Sequence, residues 1–368
     1  MSAAVSLPLP QPAGCDFGFI GHIEGWHQGV RYLSLLAPNN PRRPTQRDVE
    51  QLWSYFPART VFRISATSPA RKTPVSGVYV DAFISPSELS GEFVLKNLAK
   101  VKAAAERCIA EGAKVTSLGG FSSIVLEGDA YGLKLENPCA FTTGNTLTAA
   151  LIAKNVERAC ALRGKRLDRV KLLVIGSTGD IGSACVAYFK HKVGALFLCA
   201  RNQQRLAQQA AELAAEGVAC AATSDLDAIA RSADVIIAVA SVAKPTFLVE
   251  GREDDVIVCD AGYPKNFSPS VEAKRQNVFY GGLGLLEQGF TSSPTFLPQC
   301  LGFVDPRIAH GCLLEGMLLA MEDRYESYSV GRGNITVERI DEMWSMAQKH
   351  GLRPSPLFNL AGPWDEQP

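Results

Sequence analysis

A glycine-rich turn constrains the fold of this chain more than any other feature of its sequence. The turn stands between an apolar, strand-like run and a segment that begins as a helix, with the spacing G-x-x-G-x-x-G. Such glycines let backbone N–H groups approach a pyrophosphate at the positive end of the helix, and the third allows close helix–strand packing. We therefore predict a dinucleotide-binding βαβ unit, the alternative being a glycine turn with only a structural role. The turn consists of Gly176, Ser177, Thr178, Gly179, Asp180, Ile181 and Gly182.

Apolar runs before and after this turn extend the pattern to a whole domain. They are short, nearly continuous and separated by helical or turn segments, which is typical of a parallel sheet covered on both faces. We predict a central Rossmann domain over residues 146–284. The runs cover residues 170–176, 195–201, 234–240, 255–260 and 277–282.

The preceding residues, 15–145, alternate strand-like and helical segments, which predicts an α/β domain that binds the substrate. Strands are expected at 17–22, 61–65, 78–84 and 114–118, and a helix at 93–111 that stops at Gly112. Asn145 is expected to cap a helix over 147–162 that leads into the Rossmann domain.

The residues after the Rossmann domain become helical again. Helices are expected at 308–328 and 337–350, within a helical C-terminal segment over 285–355. Residues 1–14 and 356–368 are predicted to be tails. The predicted fold class is thus α/β, with an N-terminal substrate domain, a central Rossmann domain and a helical C-terminal segment.

Composition excludes several classes of function. With 368 residues, of which 46% are hydrophobic, the chain is long enough for two or three packed units. Its 37 basic and 37 acidic residues balance, so no overall field attracts nucleic acid or an anionic membrane. The ten cysteines form no C-x-x-C pair, so we expect reduced thiols and no metal site. The N-terminus lacks the basic region of a secretory signal and no apolar run is long enough for a membrane helix, so we expect a cytoplasmic protein.

The residue after the second Rossmann strand predicts the choice of cofactor. An NAD-specific site usually carries an acidic residue there, but this chain has Arg201, followed one turn later by Arg205. A guanidinium suits a 2′-phosphate, so we predict NADPH, the alternative being two solvated surface charges. We also place Asn202 and Ser241 at the cofactor site.

With these motifs and several others, the chain resembles the long-chain acyl-[acyl-carrier-protein] reductases, best known from cyanobacterial alkane synthesis. The resemblance runs from about residue 17 to 352. It implies NADPH, an acyl-carrier-protein or coenzyme A thioester, a covalent cysteine intermediate, a fatty aldehyde product and an enzyme that consumes the aldehyde. The matching segments are 17–23 (F-G-F-I-G-H-I), 118–125 (L-G-G-F-S-S-I-V), 141–146 (F-T-T-G-N-T), 176–184, 200–206 and 262–266 (G-Y-P-K-N).

The resemblance implies that Cys312 is the nucleophile, because the family carries A-C-x-x-E where this chain has G-C-L-L-E at 311–315. Without the resemblance, a lone cysteine among Leu and Met would favour core packing. Asp305-Pro306 favours a helix start that leaves Cys312 nearly two turns inside, whereas a break at Gly311 would place Cys312 in a first turn, where the helix dipole helps a thiolate. His310 departs from the cyanobacterial pattern, as do an N-terminal extension of roughly a dozen residues and the C-terminal P-W-D-E-Q-P.

Further candidates for catalysis or substrate binding are polar or glycine residues near the expected cleft. His310 is either a base or a structural histidine, and Glu315 either faces the side of Cys312 or is a solvated helix charge. Two loops offer backbone amides that could hold a carbonyl oxygen, or are tight turns only. These loops contain Gly119, Gly120 and Ser122, and Thr143, Gly144 and Asn145; Lys265 follows a Rossmann strand.

Two other functions stay open at this point. The F-T-T-G-N segment before a Rossmann unit also fits a shikimate-dehydrogenase-like reductase of a small carbonyl compound, without a covalent step. A nucleotide-sensing protein without turnover is the alternative from another class. Formation of an aldehyde from an acyl thioester would separate all three.

Overall fold

The structure is a computed structural model that describes residues 14–89, 93–126, 139–241, 255–267, 277–331 and 333–364. The tail predicted at 1–14 therefore lies outside the described residues except for Gly14, and so do residues 365–368. Among the described residues, no helix is long and apolar enough to cross a membrane.

A mixed six-stranded sheet forms the first part of the molecule, as the alternating pattern predicted. Its strands are β1 (Phe17–Gly21), β2 (Arg59–Ser68), β3 (Arg71–Asp81), β4 (Val115–Leu118), β5 (Ala140–Thr142) and β13 (Phe290–Ser293), in the order β13-β2-β3-β1-β4-β5. Strand β1 runs parallel to β3 and β4, and β2 runs antiparallel to β3 and β13. The helices α1 (Trp26–Leu36), α2 (Gln46–Tyr55) and α3 (Val94–Ala110) complete this part.

A parallel six-stranded sheet follows and confirms the predicted Rossmann fold. Its strands are β6 (Lys171–Ile175), β7 (Ala195–Cys199), β8 (Cys220–Thr223), β9 (Val235–Ala238), β10 (Ile257–Asp260) and β11 (Val278–Tyr280). The order β11-β10-β9-β6-β7-β8 reverses at β6 and β9, where the ligands of such sheets bind. The helices of this part are α4 (Asn145–Leu162), α5 (Asp180–Phe189), α6 (Gln203–Ala215) and α7 (Leu226–Ala230).

The residues after the Rossmann sheet form a further sheet, further helices and a small hairpin. Strands β12 (Leu283–Leu286), β14 (Ile308–His310) and β15 (Leu352–Pro354) form an antiparallel sheet. Helices α8 (Leu297–Leu301), α9 (Gly311–Met321) and α10 (Val337–Lys349) accompany it, and a small hairpin pairs β16 (Phe358–Asn359) with β17 (Gly362–Pro363). Residues 356–364 of the predicted C-terminal tail pack on the Rossmann sheet, where the indole N–H of Trp364 donates to the carbonyl of Val278.

Two predicted helix starts are wrong. The helix predicted at 308–328 begins at Gly311, because residues 308–310 pair with β12 and His310 has extended backbone. The side chain of Asp305 binds the backbone and guanidinium of Arg307 instead of capping a helix. The alternative, a new helix at Gly311, is confirmed.

The second wrong start concerns α4, which begins at Asn145 itself. Gly144 is the N-cap, with φ +73°, and the side chain of Asn145 donates to Asp180 instead of capping. Helix α4 packs against α5, α9 and α10, so it joins the two main sheets.

Candidate functional site

A cavity opens at the carboxyl ends of β1, β3 and β4. It contains about 870 Å3 of empty space, its open mouth included. Most of the wall is aromatic or aliphatic, with residues such as Phe19, Tyr32, Trp53, Phe62, Tyr79 and Leu313, while His22, Glu24, Asp81, His310 and Cys312 supply polar groups.

Cys312 lies on the wall of this cavity as the second residue of α9. Burial raises the pKa of its thiol to about 12, although the backbone groups of Gly120, Leu313 and Cys312 itself act in the opposite direction. The nearby Glu24 carboxylate raises the pKa further. Burial therefore favours the neutral thiol, whereas the neighbouring backbone groups favour a thiolate.

Two glycines let the N-termini of α9 and α4 come into direct contact beside Cys312. A Cβ on Gly144 would lie 2.4 Å from the Cα of Cys312, and a Cβ on Gly311 would lie 2.7 Å from the Thr148 hydroxyl. Both distances are too short for any side chain larger than hydrogen. The loop predicted to supply backbone groups thus fixes the position of the cysteine.

Glu315 does not line the cavity. Its carboxylate is fully buried and accepts hydrogen bonds from the Thr142 and Ser329 hydroxyls and from the backbone N–H of Leu147, at 2.6, 2.7 and 2.9 Å. The backbone N–H of Thr146 donates to the hydroxyl of Ser329 at 3.2 Å. Burial raises the pKa of Glu315, and these donors counteract the rise. Glu315 therefore caps α4 from a different helix and holds α9 in place.

Some of the remaining predicted substrate residues line the cavity, and others lie behind its wall. Gly119, Gly120 and His310 line it. Thr143 accepts from the backbone N–H of Asn145, and Asn145 donates to Asp180 in the glycine turn at 2.8 Å. Asn145 therefore connects the cysteine region to the predicted cofactor site.

Two further candidates, Ser122 and Lys265, interact with neighbouring groups. Ser122 is buried in the turn after β4, where its N–H donates to the Gly119 carbonyl. The Lys265 ammonium lies over the rings of Tyr263 and Tyr280, 3.5 and 4.3 Å from their centroids.

The predicted glycine turn brings the backbone of β6 and α5 into close contact. Gly176 has φ +86°, and a Cβ on Gly182 would lie 2.1 Å from the Gly176 carbonyl oxygen. Helix α5 begins directly behind, at Asp180, so its first N–H groups have no partner within the helix. Ser177, Thr178 and the other turn residues follow β6 at the point where the sheet order reverses.

The residues predicted around the adenosine ribose lie together at the edge of this site. The Arg201 guanidinium is exposed and reaches the Ser241 carbonyl at 3.4 Å, which joins the ends of β7 and β9. Asn202 caps α6 by accepting from the backbone N–H of Arg205. Both arginines remain exposed to solvent.

Sequence reasoning missed Glu24, which stands three residues after β1. Its Oε1 lies 3.3 Å from Nε2 of His310. Burial alone would raise the pKa of Glu24, but His310, together with Lys265 and His22, holds it below its ordinary value. The only sequence signal was an acidic residue just beyond the carboxyl end of a strand, and nothing local indicated its partner 286 positions later.

Among the described residues, no cluster of histidine, cysteine or carboxylate side chains could hold a metal ion. His22, which was predicted to cap or turn, lines the cavity but is bound by backbone on both nitrogens. Nδ1 lies 3.1 Å from the Ile23 carbonyl and Nε2 accepts from the N–H of Phe121 at 3.0 Å.

Comparison with known proteins finds relatives that match nearly the whole of this chain. The chain is 30% identical over 350 residues to the long-chain acyl-[acyl-carrier-protein] reductase of Synechococcus elongatus, covering 93% of this chain and 99% of that protein. It is also 24% identical over 369 residues to the aminotransferase PigE of Serratia, covering 95% of this chain but only 41% of that protein. Quinate dehydrogenase from Corynebacterium glutamicum, solved with NAD, is 14% identical over 68% of this chain and 81% of that chain, with a TM-score of 0.32. No family model matches the chain.

Proposed function

Because the chain belongs to the long-chain acyl-[acyl-carrier-protein] reductases, we propose that it transfers an acyl group from a carrier-protein or coenzyme A thioester to Cys312 and releases the group as an aldehyde, using NADPH. The protein is an oxidoreductase, and its Rossmann domain takes a nicotinamide cofactor. The covalent step, the thioester substrate and the preference for NADPH are the content of the proposal.

One observation carries this proposal, namely the position of Cys312 on the wall of a largely apolar cavity. Backbone groups of Gly120, Leu313 and Cys312 lower the pKa of the thiol, and N–H groups at the start of α9 would stabilise negative charge there and on the oxygen of a carbonyl that the sulfur attacks. The aromatic wall suits a hydrocarbon chain better than a small polar carbonyl compound. This favours an acyl thioester over a shikimate-like substrate.

Some residues of this chain would bind the cofactor, and others hold Cys312 in position. The glycine turn and the first turn of α5 would hold the pyrophosphate, and Arg201 and Arg205 would hold a 2′-phosphate. When bound, the nicotinamide supplies the hydride. Gly144 and Glu315 fix α9 against α4, so that Cys312 stays beside the cavity, and Asn145 keeps this region at a constant distance from the glycine turn.

The test is to trap the acyl group on the enzyme. Acyl transfer needs no reductant, so incubation of the protein with an acyl-carrier-protein or acyl-coenzyme A thioester without NADPH should add one acyl unit. Intact-protein and peptide mass spectrometry should locate it on Cys312, and NADPH should remove it as aldehyde.

Two variants make this test specific. Cys312→Ala should lose both adduct and aldehyde while NADPH binding persists. Cys300→Ala is the matched control, because Cys300 lines the same cavity on α8 and burial raises the pKa of its thiol to about 12 as well. Full aldehyde formation by Cys312→Ala would mean that no acyl-cysteine is needed.

A further inference from the structure

Acyl transfer to Cys312 requires a proton acceptor, and α9 itself does not supply one. Burial raises the pKa of the thiol to about 12, so the thiol is protonated at neutral pH. The first helical turn and its N–H groups stabilise a thiolate but cannot remove the proton. The acceptor must therefore be a side chain that reaches the same cavity.

His310 is in the right place. It is the N-cap residue of α9, two positions before Cys312, and both side chains line the cavity. Its ring packs edge-on against Tyr263 and Phe303, with centroids 4.8 and 5.1 Å apart, which fixes its orientation. Its Nε2 lies within ion-pair distance of the Glu24 carboxylate, at 3.3 Å, without hydrogen-bond geometry, and we assign proton exchange with Cys312 to Nδ1.

The other titratable groups of the cavity are already engaged or hold their protons too strongly. Asp81 also lines the cavity, but its carboxylate accepts a hydrogen bond from the backbone N–H of Phe83 at 2.6 Å. His22 keeps one tautomer between the carbonyl of Ile23 and the N–H of Phe121. Lys265 lies over two aromatic rings and carries a positive charge beside Glu24. Burial raises the pKa of the Tyr79 and Tyr263 hydroxyls well above their ordinary value.

We propose that His310 is the acid–base residue of acyl transfer and that Glu24 is its positioning residue, an inference that rests on the proposed function. His310 takes the proton of the Cys312 thiol as the sulfur attacks the thioester carbonyl. A new carbon–sulfur bond forms to Cys312 and the bond from the acyl carbon to the carrier sulfur breaks. His310 then returns the proton to the departing carrier sulfur, so the exchange consumes no reductant and leaves the histidine unchanged.

The arrangement of Glu24 and His310 follows a general pattern of catalysis by histidine. A carboxylate at one ring nitrogen selects the tautomer and stabilises the imidazolium that forms when the other nitrogen accepts a proton. The pair joins two segments far apart in the chain, the loop after β1 and the start of α9. It therefore forms only when the first sheet and the C-terminal segment are packed together.

The experiment measures the rate of acyl-enzyme formation with decanoyl-coenzyme A and no NADPH, by rapid quench and intact-protein mass spectrometry between pH 5.5 and 9. His310→Gln should form the Cys312 adduct about 100-fold or more slowly and lose the acidic limb of the pH profile. The His310 side chain makes no capping bond to α9, so this change should leave the helix and NADPH binding intact. Glu24→Gln should slow the reaction less and move the acidic limb to lower pH.

Two controls distinguish loss of the proton acceptor from a general loss of structure. His191→Gln removes another histidine beside a glutamate. His191 follows the end of α5, and its Nε2 lies 3.8 Å from the carboxylate of Glu216. This variant should acylate at the wild-type rate. In His310→Ala, added imidazole should restore acylation.

Each negative result has a definite meaning. A wild-type rate in His310→Gln, or no imidazole rescue in a His310→Ala protein that binds NADPH, would overturn the role of His310 alone. Absence of any adduct in the wild-type protein would overturn the covalent mechanism, and the role of His310 with it.

Discussion

The close contact between Gly144 and Cys312 leads to a quantitative prediction. Gly144→Ala places a methyl group 2.4 Å from the Cα of Cys312, in a backbone conformation with φ +73°. The left-handed conformation costs a non-glycine residue about 1–2 kcal/mol. Because the clash is with backbone, which cannot rotate away, we expect overpacking to cost about 1–3 kcal/mol more.

The matched control is Gly164→Ala, at the other end of the same helix α4. Gly164 has φ +64°, but a Cβ there would meet nothing within 4 Å. It therefore carries the conformational cost of about 1–2 kcal/mol without the clash. Any gain from the reduced freedom of the unfolded chain is common to both variants.

The assay is urea unfolding followed by tryptophan fluorescence, combined with the rate of acyl-enzyme formation. Gly144→Ala should lose about 2–5 kcal/mol of unfolding free energy and most of the acylation rate, whereas Gly164→Ala should acylate normally. If the two variants were equally stable and both acylated at the wild-type rate, α9 would not depend on close approach at Gly144 and our reasoning would be refuted.

Four other predictions concern the cofactor, the acyl chain and two buried carboxyl groups. Arg201→Ala should weaken NADPH binding by about 1.5–3 kcal/mol and NADH binding much less; equal losses in titrations with both cofactors would remove Arg201 from the phosphate site. kcat/KM for acyl thioesters should rise with chain length by up to about fourfold per methylene until the cavity is full, and a flat series from two carbons upward would contradict a fatty acyl substrate. Glu315→Gln should lower the unfolding free energy by about 1–3 kcal/mol, because an amide N–H₂ would face the donors that cap α4; exposed Glu338→Gln is the control, and equal urea midpoints would be the contrary result. Burial raises the pKa of Asp81 to about 7 from 3.8, so the folded protein holds this proton where the unfolded chain has lost it, and wild-type stability should fall between pH 4 and 7; Asp81→Asn should remove that part of the decline in urea midpoints, and an unchanged pH profile would count against it.

The resemblance and the glycine turn supplied most of the predicted site residues because their information is local. A strand, a glycine turn and a helix follow each other within a dozen residues, so hydrophobic pattern and spacing were enough to predict the Rossmann unit and its cofactor edge. The choice of Cys312 among ten cysteines, in contrast, depended on the resemblance, since a small thiol among leucines is also what a core contains.

The helix starts show where local signals mislead. Asp305-Pro306 has the composition of a helix start, but pairing with β12 extends residues 308–310, and Asp305 binds Arg307 instead. Asn145 has the composition of a cap, yet its amide is used by Asp180 in another helix. Capping preferences are worth about 1 kcal/mol, so a strand pairing or a buried hydrogen bond easily overrides them.

The sequence by itself determined the fold class and the glycine turn, and through the resemblance it predicted Cys312 as the nucleophile. Only the tertiary structure decided what surrounds that nucleophile. Glu24 meets His310, and Glu315 caps a helix that begins 170 residues earlier, because the first sheet, α4 and α9 pack into one core. Such contacts depend on the approach of distant segments and on burial, which sets the pKa of Cys312, and neither of these leaves a pattern among neighbouring residues.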